Sequence, residues 1–383
     1  MKIFLLILAA INLVAFLAFG IDKLKARRHR WRISEASLLW LAALGGALGA
    51  WLGMHVWHHK TLHRKFRWGV PLLLILQLAL AVLIGGAMYL LSYSLDPSGR
   101  EERDSQTMQR LRQGYPEAAA WVDSMEVCGA LRDTFIVNSK GVRLHARYAS
   151  NEEARGTVVL VHGYTDNATS MLMFAPLYHD SLRFNIIAIE HERHGQSEGE
   201  AIQMGWLDRL NLELWIGVAE RMWPDTPMYL HGVSMGAATV MMCAGDPLPL
   251  SVKGVIEDCG YTSVWDEFSG EIHNQFHLPV HPLMDIASAL CRVRYGWDFR
   301  EASALEQVRK STLPMLFIHG TADSFVPTEM VHRLYAAKDV GPKDLWLSDG
   351  CTHAQTYHDY PEEYLRRVQQ FLDMCDQSQT SAP

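Results

Sequence analysis

The sequence predicts an α/β protein, a mostly parallel sheet with helices on both faces, preceded by an N-terminal region of two to three transmembrane helices. Three observations predict it. The first 92 residues contain three apolar stretches. From about residue 130, short β-rich runs alternate with helix-length stretches. Those short runs are almost continuously apolar, the pattern of parallel strands buried on both faces.

Charge divides the chain at the same place. Residues 1–92 carry eleven Lys/Arg against Asp22 and Glu35, a formal +9, and the remainder carries a formal −16. A basic apolar segment reads as membrane. An acidic body lacks the concentrated basic face that phosphate backbones need, which excludes a nucleic-acid partner. All six cysteines lie in the acidic part without a C-x-x-C pair, so zinc and redox motifs are not indicated and free structural thiols are expected rather than disulfides.

Residues 3–20 are apolar apart from Asn12 and long enough to cross a hydrocarbon core. A signal peptide fits poorly, because Gly20-Ile21-Asp22-Lys23 offers no small-x-small cleavage site and two more apolar stretches follow, at roughly 37–54 and 69–92. The middle stretch is short and interrupted by Gly45, Gly46 and Gly49, residues that let helices approach closely. Three complete spans with the more basic loop 21–35 inside put the following domain in the cytoplasm. A re-entrant middle segment would put it outside. His55, His59 and His63 fall at helical spacing, as a metal site would, but an interfacial basic helix is the simpler reading. Over residues 1–90 the motifs Gly20-Ile21-Asp22-Lys23, Arg32-Ile33-Ser34-Glu35, Leu44-Gly45-Gly46-Ala47-Leu48-Gly49 and His59-Lys60-Thr61 with Phe66 resemble a small bacterial membrane-protein family known as a domain of unknown function. That resemblance implies an anchor and no activity.

A charged segment follows, beginning Asp96-Pro97-Ser98-Gly99 and containing an amphipathic stretch around Met108, Leu111, Tyr115 and Trp121. It is expected to lie on the body of the next domain, since Trp121 and Val122 need cover. Runs 132–138 and 142–149 flank Ser139-Lys140-Gly141 and read as a hairpin. The buried strands are expected at 157–161, 185–189, 228–230, 252–256, 315–318 and 344–347, with helices near 167–181, 205–222, 236–245, 327–338 and 361–374. Ligands bind such sheets at the carboxyl ends of the strands, so the residues after each strand carry the function.

After Met228-Tyr229-Leu230 comes His231-Gly232-Val233-Ser234-Met235-Gly236, a G-x-S-x-G with a strand before it and a helix after it. In that context the serine sits on a strained turn, and side chains at Gly232 or Gly236 would collide with the packed strand and helix. The alternative is a tight packing turn. A serine hydroxyl needs a base, and such sites order the residues Ser, acid, His. Asp323 stands just past the strand Leu316-Phe317-Ile318, and His353 just past the final strand. His353 would take the Ser234 proton and return it to the leaving group, with Asp323 fixing its tautomer. Asp258, also at a strand end, and Asp349 are the competing acids. The expected oxyanion donors are the backbone N–H groups of Met235, after the nucleophile, and Tyr164, in the loop after the first parallel strand. His162 in that loop reads as a structural brace rather than a base.

These residues, with His194-Gly195-Gln196-Ser197-Glu198-Gly199 and Glu257-Asp258-Cys259-Gly260-Tyr261-Thr262-Ser263, resemble bacterial α/β-hydrolases of the prolyl-oligopeptidase-like and acyl-thioesterase-like branches over residues 130–375. The family's Asp-x-Arg is replaced here by Glu190-His191-Glu192, which bears on the local loop and not on the triad. In this fold an insert such as that between Asp258 and Leu313 forms a helical cap. Its aromatics, among them Trp265, Phe268, Phe276, Trp297 and Phe299, either line an acyl pocket or form the cap's own core. His273, His277 and His281 are interrupted by Pro279, which argues against a metal site.

The expected organisation is a membrane region 1–93, a linker with an amphipathic helix 94–128, an α/β-hydrolase domain 129–376 capped at about 260–311, and a disordered tail 377–383. The expected activity is hydrolysis of a carboxylic ester or thioester of a small-molecule or lipid-like acyl substrate at a membrane, with no cofactor and no metal. A peptidase or amidase, a silent binding module and transport by residues 1–92 are the rival readings.

Overall fold

A computed structural model describes residues 2–96, 98 and 104–380 of the 383-residue chain. The chain packs as two compact units, Met1–Met88 and Tyr89–Pro383.

In the first unit, three helical stretches are long and apolar enough to cross a membrane: Leu6–Arg27, Glu35–Val56 and Arg64–Leu95, the last continuing into the second unit. The middle stretch opens into a wide π turn at Ala42–Gly46, where Gly45 takes φ 111°. Only glycine adopts that conformation without strain. The polar Asn12 is satisfied by the neighbouring stretch: its side-chain amide donates to the Gly45 carbonyl at 2.9 Å, and its Oδ1 accepts the Gly49 N–H at 2.8 Å. A Cβ on Gly49 would strike the Asn12 backbone, so these helices touch because the residue there is glycine. The motif residues of the loops meet around Asp22, whose carboxylate receives the Ile33 N–H at 2.9 Å and lies 2.7 Å from Nε2 of His59. The helix Ala47–Val56 stops before His59, so His55, His59 and His63 do not share one helical face.

The second unit contains an eight-stranded sheet. Its strands are β1 Arg132–Val137, β2 Arg143–Ala149, β3 Gly156–Val161, β4 Phe184–Ile189, β5 Met228–Val233, β6 Val252–Asp258, β7 Met315–Gly320 and β8 Lys343–Ser348. The order is β1-β2-β4-β3-β5-β6-β7-β8. β1 and β2 form the expected antiparallel hairpin, β2 runs antiparallel to β4, and every later pairing is parallel. Side chains of β3, β4 and β5 are buried throughout, which is why these runs read as continuously apolar.

Helices cover both faces. Tyr364, Val368, Phe371 and Cys375, spaced three or four apart on Pro361–Thr380, pack into one core with Val158, Ile186 and Ile256. That helix continues to Thr380, into the stretch 377–383 expected as a tail; residues 381–383 lie outside the described residues. The single helix expected at 167–181 is three short pieces, Ala168–Met171, Leu172–Phe174 and Pro176–Ser181, because Pro176 removes a helical donor mid-run.

The linker's start at Asp96-Pro97-Ser98-Gly99 falls partly outside the described residues. From Asp104 it forms two helices, Asp104–Gly114 and Pro116–Val127, which bury Leu111, Trp121 and Val122 in the main core. The segment therefore behaves as part of the domain, since its apolar side chains have no other cover. The insert after β6 folds as Val264–Phe276, Leu283–Tyr295 and Ala304–Lys310.

Candidate active site

Ser234 follows β5 and opens the helix Met235–Cys243 with φ 57° and ψ −117°. A non-glycine residue in this region costs about 1–3 kcal/mol and persists only when its surroundings impose it. Packing imposes it here. A Cβ on Gly232 would strike the Gly236 carbonyl, and one on Gly236 would strike the Val161 carbonyl of β3. The backbone N–H of Ser234 donates to the Asp258 carbonyl at the end of β6, 2.8 Å away. Strand, turn and helix thus hold the hydroxyl at the carboxyl edge of the sheet.

The loops after β7 and β8 bring their side chains to this edge. Nε2 of His353 lies 2.9 Å from Oγ of Ser234, and Nδ1 of the same ring lies 2.7 Å from Oδ2 of Asp323. With the proton on Nδ1 donated to the carboxylate, Nε2 is left to accept from the serine. The other carboxylate oxygen, Oδ1, accepts the N–H groups of Phe325 and Val326 at 3.0 Å each. The Asp323 side chain is fully buried and that of His353 is 23% exposed. Burial opposes the Asp323 charge, but hydrogen bonds from His319 and His353 outweigh it and hold the carboxyl down at about 2.

The competing acids are engaged elsewhere. Asp258 accepts the Tyr364 hydroxyl at 2.9 Å, and burial pushes its carboxyl up to about 6. Asp349 accepts the Thr321 hydroxyl at 3.4 Å.

Met235 is the first residue of its helix, so its N–H has no intrahelical acceptor. Tyr164 follows Gly163, where an added Cβ would stand 3.5 Å from Cβ of Ser234. Both Met235 and Tyr164 line the cavity that contains Ser234. The loop that carries Tyr164 is braced by imidazoles. His162 donates from Nδ1 to the Gly163 carbonyl at 2.7 Å and accepts the His191 N–H on Nε2 at 3.1 Å. Nε2 of His194 accepts the Thr165 N–H at 3.1 Å. Burial pushes His162 and His194 well below the usual imidazole range, which keeps them neutral acceptors. Glu190, in place of the family's aspartate, receives the Gln196 N–H at 2.6 Å and the Ala168 N–H at 3.3 Å.

Two recesses meet at Ser234. One, of about 280 Å³, is mainly apolar and is walled by the insert through Phe268, Ile272, Phe276 and Phe299. One polar row, Glu267, Glu271 and Gln275, faces it from the helix Val264–Phe276, and burial pushes the Glu267 carboxyl well up, towards its neutral form. The other, of about 810 Å³, is a larger groove, also mainly apolar, that contains His353, Arg110, Asp166 and Gln355. Of the insert's aromatics, Phe268, Phe276 and Phe299 line the first recess, while Trp297 is fully buried and donates to Gln203 at 2.9 Å.

Sequence reasoning missed two walls. The helix Asp104–Gly114 lines the groove through Thr107, Arg110 and Leu111. The end of Arg64–Leu95 lines the apolar recess through Leu90, Leu91, Tyr93 and Ser94. The sequence pattern puts the first on the body of the domain and reads the second as an anchor, and neither pattern marks a wall of the site.

Cys259, Asp323 and His353 bring potential metal ligands within 4.8 Å of one another. Two of them already bond each other, and burial pushes the Cys259 thiol well up, away from the thiolate that metals prefer.

Comparison with known proteins adds the following. Residues 12–66 match the family described as "Protein of unknown function (DUF1294)", and residues 152–267 match "Serine aminopeptidase, S33". The chain is 54% identical over 70 residues to the uncharacterized protein YsdA of Bacillus subtilis, covering 18% of this chain and 79% of that protein. It is 29% identical over 249 residues to the uncharacterized protein YqkD of the same organism, covering 64% of this chain and 81% of that one. The solved Pyrococcus furiosus esterase Pf2001 superposes with a TM-score of 0.51 at 21% identity, over 63% of this chain and 92% of its own. At that identity the likeness concerns the fold.

Proposed function

For a chain that belongs to the DUF1294 family through residues 12–66 and carries an α/β-hydrolase domain of the esterase and peptidase type, we propose hydrolysis of a carboxylic ester or thioester through an acyl-enzyme on Ser234. The observation that supports this most is the continuous path from Asp323 Oδ2 through His353 to Ser234 Oγ, at 2.7 and 2.9 Å, where the smaller recess and the larger groove meet.

Each residue then has one task. Nε2 of His353 takes the Ser234 proton as Oγ bonds to the acyl carbon. The carbonyl oxygen gains the negative charge and receives the N–H groups of Tyr164 and Met235. Asp323 stays ionised and stabilises the imidazolium. The tetrahedral adduct collapses, the carbon–oxygen or carbon–sulfur bond breaks, and His353 protonates the departing alcohol or thiol. Water then attacks the acyl-enzyme, giving its proton to His353, and collapse returns that proton to Ser234 and frees the carboxylic acid. Because His353 lies in the groove and not in the apolar recess, the leaving group occupies the groove and the acyl group the recess.

The three apolar helices are read as a multi-pass membrane anchor. The test is labelling by a fluorophosphonate probe together with turnover of paired ester and amide substrates. Labelling of wild type but not of Ser234→Ala, with ester turnover exceeding amide turnover, supports the reading. Faster amide cleavage would make it a peptidase, and absence of labelling and turnover would make it a binding module.

A further inference from the structure

We propose that the end of the third apolar helix is itself a substrate-binding element, and that Leu90 and Leu91 set the acyl-chain length for a medium-chain ester. This rests on the serine-hydrolase reading of Ser234 and assigns a role to a segment otherwise read only as an anchor.

The last turns of Arg64–Leu95 pack within the second unit, and there Leu90 and Leu91 are 8% and 5% exposed. Both line the recess that holds Ser234, across from the aromatic side chains of the insert. The helix end is fixed at three points. The Leu95 carbonyl accepts the Ile202 N–H at 2.8 Å. The rings of Tyr93 and Phe276 meet edge to face at 5.7 Å. The Tyr164 hydroxyl donates to the Ser94 carbonyl at 2.9 Å. That carbonyl is among the last four of the helix, which have no intrahelical donor. Tyr164 also supplies a backbone N–H to the proposed oxyanion site, so the wall of the acyl recess and the oxyanion loop are joined by one hydrogen bond.

Size and chemistry identify the substrate class. A recess of about 280 Å³ lies just below the usual range of ligand sites, about 300 to 1,000 Å³. It suits one unbranched chain of medium length rather than a paired-chain lipid. Its walls are mainly apolar, and burial of Glu267 disfavours a charge on its carboxyl. A saturated acyl chain fits these walls, with the alcohol or thiol in the groove that holds His353.

The experiment uses the full chain in detergent and measures kcat/KM for p-nitrophenyl acetate, hexanoate, decanoate and palmitate. Leu91→Trp fills the recess and is expected to lower the decanoate-to-acetate ratio by about tenfold or more. Leu91→Ala enlarges it and is expected to move the preferred chain towards palmitate, which guards against Leu91→Trp acting through misfolding. Leu78→Trp, on the same helix but outside the recess, is expected to leave the ratio as in wild type. Wild-type turnover with a ratio that neither Leu91 variant alters overturns the inference while leaving the hydrolase reading intact. So does a wild-type preference for aminoacyl over acyl esters, which would assign the recess to the Glu267–Glu271 row. Absence of ester turnover and of Ser234-dependent labelling overturns the parent reading, and this inference with it.

Discussion

Nε2 of His319 lies 3.3 Å from Oδ2 of Asp323, the same oxygen that receives His353. It also contacts the Val326 carbonyl at 2.9 Å, so it ties the carboxylate to the loop that presents it. The His319 side chain is fully buried. Burial opposes its protonation, but Asp323 and Glu257 outweigh this and raise its pKa. In the proposed mechanism His319 touches no reacting atom, so its part there is to position Asp323.

His319→Ala is therefore expected to lower kcat by about tenfold with little change in KM, since the carboxylate loses its anchor but substrate contacts remain. His319→Gln, which keeps a donor, should recover part of the loss. Steady-state kinetics on one ester reads both variants, and an unchanged kcat in His319→Ala would show that the carboxylate holds its place without the imidazole.

Asp323→Asn keeps the shape but offers His353 the wrong hydrogen-bonding partner. By analogy with serine hydrolases in which the orienting acid was replaced, kcat should fall by about 10⁴. Retention of more than a tenth of the activity would assign the orienting role to another acid.

The carboxyl of Asp323 is depressed from its ordinary 3.8 to about 2. The unfolded chain binds this proton more readily, so the contribution to stability is complete above about pH 4 and is lost as pH falls towards about 2. A depression of this size corresponds to about 2 kcal/mol. Thermal unfolding of wild type should show this loss across that window, and Asp323→Asn should show a shallower slope there.

Gly236→Ala should destabilise the second unit by about 3 kcal/mol or prevent folding, because the new methyl meets the β3 backbone and not a movable side chain. The urea or thermal midpoint measures this, and a midpoint equal to wild type would show that the turn can relax.

In the first unit, Asn12→Leu removes the bonds to Gly45 and Gly49. The expected cost is about 1 kcal/mol, typical of hydrogen bonds between apolar helices. Detergent-dependent unfolding of the full chain gives the value.

The elements were legible where the governing physics is local. Continuous apolar runs marked β3 to β7, and the glycines around Ser234 marked the strained turn, because period and close packing leave direct traces in residue order. The helix at 167–181 was misread because apolar period masked the break at Pro176. The wall of the apolar recess that the third apolar helix supplies was illegible for a different reason. Leu90 and Leu91 look like any other leucines in a lipid-compatible helix, and nothing in their neighbours along the chain marks a substrate cavity.

Residue order alone thus specified the class of fold, the candidate serine, the strands whose ends carry the candidate acid and histidine, and two to three helices suited to a bilayer. Those properties follow from periodicity, backbone sterics and hydropathy, which act between near neighbours. Three-dimensional packing decided that Asp323 receives two imidazoles, that His353 faces the groove and not the apolar recess, and that a helix ending at Leu95 closes that recess. Each of these depends on contacts between distant segments, whose geometry is set only when all eight strands and their covering helices pack together.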